Sequence, residues 1–169
     1  MIRTAILLGL ALLAPSPGLA GQAAAPSYQI GGITADFSSI FMVDAANVQR
    51  SGQAARTRLL QVPRMPLVIG GSPVAYSTLD VVLDCSSGKV ATTAFASYGP
   101  DDRVVVSSPA ESNLALPPAG SALAAAATVA CTGRSRAPGA PALASRKAAA
   151  DYGRGLLERA RNQGRAPDV

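Results

Sequence analysis

Histidine is absent from this chain. With it go the usual general base, the commonest metal ligand and any Ser–His or Cys–His dyad. Tryptophan is absent too, and aromatics make up only 4% of the residues. The hydrophobic share is 49%, but much of it is alanine, which buries little area per residue. A modest core is therefore expected, one that would gain from a covalent staple. Only two cysteines are present, Cys85 and Cys131, with neither Cys-x-x-Cys nor a zinc-type spacing. Gly70-Gly71 is followed by no Gly-Lys-Ser/Thr, so no phosphate loop is encoded. Carboxylate pairs can work without histidine in glycosidase-type chemistry. Asp80 and Asp84 share one strand parity and Asp101-Asp102 fall in a turn, but aspartates in such places are usually solvated. No catalytic residue, cofactor or metal site is assigned, and the chain is not expected to be an enzyme.

What is present begins with an export pattern. Arg3 precedes an apolar run over residues 5–13, a length that suits a signal peptide and is too short to span a bilayer. Pro15 and Pro17 break the run, and Gly18-Leu19-Ala20 sets small residues before an expected cut ahead of Gly21. Residues 1–20 therefore read as a signal peptide, and an exported protein of the periplasm or cell surface is expected. Disulfides persist in such compartments, which favours a bridge between Cys85 and Cys131.

The formal charge of +5 is unevenly spread. Residues 21–133 carry six basic and seven acidic side chains, whereas residues 134–169 carry eight basic and three acidic ones. The body is thus not a basic nucleic-acid reader, and no nucleic-acid partner is expected. The tail reads as a basic, partly disordered or helical segment. Its Arg146, Lys147, Arg154, Arg159 and Arg161 are the candidates for binding an anionic envelope surface, either membrane lipid or polyanion. In the helical form Ala149, Tyr152, Leu156 and Ala160 share one side, and Gly153 and Gly155 weaken it.

Along the body, residues 21–37 read as a flexible leader. Residues 39–44 have strand-favouring composition, and 54–62 form a returning strand after the turn chemistry of Asn47, Ser51 and Gly52. The proline- and glycine-rich stretch 63–73 reads as a loop. Leu79, Val81, Leu83 and Cys85 then share one parity, which describes a half-buried strand with the cysteine on its core face. Two more strands, 90–98 and 103–107, follow across short turns and complete an antiparallel meander. Ser121 is an N-cap, Gly133 a C-terminal stop, and Leu123, Ala127 and Cys131 line one face of the helix between them. Cys85 and Cys131 meet if that helix packs on the sheet.

Several short motifs resemble the surface-adhesin protein E family of exported bacterial proteins. They are Phe41-Met42-Val43-Asp44 followed by Asn47-Val48-Gln49-Arg50-Ser51-Gly52, the strand end Asp84-Cys85, Tyr98 before Gly99, and a final hydrophobic segment ending in Cys131. The resemblance spans about residues 38–133 and departs from the family in lacking tryptophan and in the basic tail. It implies an α+β fold, a small antiparallel sheet with a C-terminal helix tied to it by a disulfide. It also implies an adhesin-like, non-enzymatic role in binding a protein or an envelope component. A structural or accessory subunit of a periplasmic envelope assembly is the alternative.

Overall fold

A computed structural model describes residues 24–134 and 140–164; the expected signal peptide, 1–20, lies outside the described residues. Strands β1 (Tyr28–Ile33), β2 (Ser39–Asp44), β4 (Ala54–Pro63), β7 (Tyr76–Asp84), β8 (Lys89–Tyr98) and β9 (Val104–Pro109) lie side by side in that order, each pair antiparallel. The short β3 (Gln49–Ser51) pairs with the start of β4, and β5 (Leu67–Ile69) pairs with β6 (Ser72–Val74) as a separate hairpin. Two helices follow, α1 (Ala122–Thr132) and α2 (Arg146–Gln163). The fold is α+β, an antiparallel sheet with α1 tied to it by a disulfide.

Each helix takes its own face of the sheet. Successive strand residues point to opposite faces, so Leu59 and Leu60 of β4 serve two different cores. On one face Ile40, Met42, Leu60 and Val62 pack with Ala149, Leu156 and Leu157 of α2. On the other, Val43, Leu59, Val81 and Leu83 pack with Ala126, Ala127, Val129 and Ala130 of α1. Burying a leucine is worth roughly 1.5–3 kcal/mol, so Leu156 and Leu157 alone hold α2 firmly down.

Local chemistry sets the helix ends. The Ser121 hydroxyl accepts from the Ala124 N–H at 3.2 Å, and Gly133 closes α1 in the left-handed region with its N–H on the Val129 carbonyl. Ser145 caps α2 in the same way, through the Ala148 N–H at 3.1 Å. Cys85, just past β7, bonds to Cys131 in the last turn of α1, with the two Cα atoms 5.5 Å apart. Both cysteines pack against the α1-side core.

Four readings need correction. The stretch 21–37 is not wholly a leader, because β1 occupies Tyr28–Ile33 and buries Tyr28 and Ile30. Gly31 and Gly32 hid it: they interrupt the apolar alternation and let α1 approach until a Cβ on Gly32 would stand 2.5 Å from the Ala122 carbonyl oxygen. Within the stretch 134–169, Arg146–Gln163 is helical, and this helix is packed rather than free: α2 covers one face of the sheet and Leu143 bridges to Tyr28. The loop 63–73 carries the β5–β6 hairpin. Finally, β7 is half-buried only over residues 80–84, where Val81 and Leu83 are buried on the α1 side; at its start Tyr76 and Thr78 are buried on the α2 side as well.

Candidate functional site

Along β4 the α2-side positions change character at one point. Leu60 and Val62 are buried, whereas Arg56 and Arg58, on the same parity, are exposed. The change falls where α2 begins, so the sheet beyond Arg146 has no helix over it. An open groove of about 760 Å³ lies there. Its floor comes from Arg56 and Arg58 of β4, Asp80 and Val82 of β7, and Thr93 of β8. Tyr28, Asp44 and Asn47 form one side, and Ser145, Arg146 and Asp102 close the end nearest α2.

Most of the groove's charges are already matched. The Arg58 guanidinium donates through Nε and Nη2 to both oxygens of Asp80, at 2.6 and 3.0 Å, and these hydrogen bonds raise its pKa further. Asp44 accepts from the Ser27 N–H at 3.1 Å and the Asn47 amide at 2.9 Å. Arg146 reaches Asp102 at 3.4 Å and lies 4.2 Å from the centre of the Tyr98 ring, which itself stacks on Tyr76. Tyr28 is pushed up to about 12, first by burial and then by the nearby Asp44 charge, so its phenol stays neutral. Arg56 is the exception. Among the described residues it has no ion-pair partner, and it stands on the groove floor beside the apolar Val82.

Of the carboxylates weighed for catalysis, Asp80 and Asp102 line the groove and Asp84 and Asp101 do not. Asp80 is held by Arg58. Asp84 accepts from the hydroxyls and N–H groups of Ser86 and Ser87, which hold its carboxyl well below the usual range. Asp101 accepts from the Arg103 N–H, and Asp102 turns to α2. Among the described residues no group of three potential metal-ligating side chains is close enough to hold an ion.

The five basic side chains of α2 do not form one surface. Arg146 closes the groove, and Arg154 donates to the Ala75 carbonyl at 3.0 Å while pairing with Asp151. Lys147 also pairs with Asp151, at 3.1 Å. Arg159 and Arg161 are exposed and have no ion pair among the described residues.

No family model, curated protein or solved structure matches this chain. The groove therefore has to be read from its own chemistry. Among the described residues it offers one guanidinium without an ion pair, suited to bidentate capture of a carboxylate or phosphate, and a partly apolar floor; the Asn47 amide and the Thr93 hydroxyl already donate to Asp44 and to the Asp80 carbonyl. Of its residues the sequence marked Asp80, Asp102 and Arg146 as candidates for chemistry or binding, and Asp44, Asn47, Gln49 and Val81 only as parts of turn, motif or strand patterns. The one available signal was the switch from Arg56 and Arg58 to Leu60 and Val62 on a single strand parity.

Proposed function

We propose that this chain is an exported, non-enzymatic domain that binds a macromolecule or envelope component in an adhesin-like manner, with the groove as its binding site. The observation that carries this reading is the uncovered stretch of sheet with the unpaired Arg56 on its floor. The groove is open rather than enclosed, so an extended segment of a polymer can lie along it. The segment that fits carries an anionic group for Arg56 and apolar surface for Val82. The disulfide is compatible with an oxidising compartment, periplasm or cell surface, and the motif resemblance to surface-adhesin protein E points the same way.

Retention of envelope material tests the reading. The immobilised chain from Gly21 onward is exposed to detergent-solubilised envelope of its own cells, beside Val82→Arg, which fills the groove, and Leu114→Arg, which lies outside it. A component kept by wild type and by Leu114→Arg but lost by Val82→Arg is the expected result. Retention indifferent to Val82→Arg would remove the groove from the account.

A further inference from the structure

The β5–β6 hairpin is built unlike the rest of the sheet. Gly70-Gly71 turns it with both residues at positive φ, 56° and 82°, the conformation of a tight two-residue hairpin loop. A strand normally alternates buried and exposed residues, yet Leu67, Val68 and Ile69 are all exposed, with Val68 at 72%, and Met65 before them is at 66%. Both faces of this finger are therefore apolar, and nothing lies within 4 Å of where Cβ atoms on its turn glycines would stand. No charged residue occurs from 65 to 79. Cations stand at its base instead: Arg64 precedes the finger, and Arg154 is bonded to the carbonyl of Ala75 just after it.

We propose that this hairpin is a membrane-contact finger that inserts into the interfacial region of an anionic phospholipid bilayer. A flat protein partner or a second copy of the chain would cover one face of the finger and leave the other wet, whereas lipid surrounds both. Three residues of strand reach about 10 Å, which matches the roughly 5–10 Å depth of interfacial insertion and falls far short of spanning. Arg64 lies where a headgroup phosphate would meet the base, while Arg154 is held there by the Ala75 carbonyl and Asp151. Insertion buries no charge and needs no change in the sheet.

The absence of tryptophan from the chain makes a direct probe available. A Val68→Trp variant, lacking residues 1–20 so that the apolar run there does not contribute, is mixed with vesicles of phosphatidylglycerol and phosphatidylcholine. Its emission should shift to the blue and be quenched by brominated acyl chains. In co-sedimentation, Leu67→Ser/Val68→Ser/Ile69→Ser should lower the bound fraction at least about tenfold, because three apolar side chains lose their transfer energy. Leu114→Ser/Leu116→Ser, which removes exposed apolar residues elsewhere, should leave binding unchanged. The exposed positions of all these side chains allow thermal unfolding to certify the fold of each variant. Absent binding by wild type, equal binding by the hairpin variant, or equal loss in the Leu114/Leu116 variant would each overturn the proposal. So would self-association in sedimentation velocity that Val68→Asp abolishes, since a second copy would then be the occupant. Any of these failures leaves the groove reading standing.

Discussion

Gly153 of α2 lies against Ile40 of β2 so closely that a Cβ built on it would stand 2.9 Å from Ile40 Cγ2 and 3.1 Å from Met42 Cε. A glycine that weakens the helix by propensity is thus the point where the helix meets the sheet. Gly155, two residues on, would place its Cβ 3.5 Å from the end of the flexible Arg159 side chain, an ordinary contact. The two glycines should respond oppositely to alanine. Gly155→Ala should stabilise by up to about 1 kcal/mol. Gly153→Ala should destabilise by about 1 kcal/mol or more, because overpacking a stiff, fully buried neighbour costs roughly 1–3 kcal/mol and exceeds the helix gain. Denaturant midpoints of the two variants decide it; equal stabilisation by both would mean that α2 stands further from the sheet.

The disulfide joins residues 46 apart in sequence and ties α1 to the end of β7. Closing such a loop is worth roughly 4 kcal/mol in the chain-entropy model. Small domains have about 5–15 kcal/mol in total, so the bridge is a large share. Cys85→Ser, Cys131→Ser and reduction of the wild type should each lower the unfolding temperature sharply and to a similar degree. A reduced protein that melts with the oxidised one would show that α1 is held by packing alone.

Ending the chain at Gly133 should abolish cooperative unfolding rather than trim a tail. Removing α2 would uncover Ile40, Met42, Leu60 and Val62, all at 0% exposure, together with the Tyr76–Tyr98 stack. The readout is a calorimetric scan of the truncated protein. A sharp transition near that of the longer chain would return α2 to the status of an accessory.

The sequence was informative where local chemistry acts alone. Ser121 and Gly133 mark α1 by capping, and the alternation of Leu79, Val81 and Leu83 marks β7 and the core side of Cys85. It misled where tertiary contact overrides local preference. Gly31-Gly32 and Gly153 look like interruptions, yet each is where a helix presses on the sheet. The basic side chains of α2 suggested a solvated tail, because partners distant in sequence, such as Tyr98 and Asp102 for Arg146, leave no mark on local periodicity. The groove was illegible for the same reason. Its residues come from separate parts of the chain, and Arg58 and Asp80 meet only through the β4–β7 register.

Stability should fall at both pH extremes for separate reasons. Asp36 is held at about 2, chiefly by the Ser38 hydroxyl, and Asp84 is held low by Ser86 and Ser87. Depressed carboxyls contribute stability that is complete above about pH 4 and is lost as pH falls through their folded values. Tyr28 is raised to about 12, so its contribution is complete below about pH 10, where the unfolded phenol ionises, and is lost between there and 12. Denaturant midpoints against pH should show both limbs. Asp84→Asn should flatten the acid limb and Tyr28→Phe the alkaline one; an alkaline limb unchanged in Tyr28→Phe would assign it to another group.

The groove is the centre of the functional account, and capture in living cells tests it most directly. A photo-crosslinking amino acid at Val82, on the groove floor, and another at Leu116, outside it, are introduced into the chain in its own cells and irradiated. The account predicts a discrete adduct to an envelope macromolecule from position 82, reduced by Arg56→Glu and absent from position 116. No adduct at 82, or the same adduct from both positions, would contradict it.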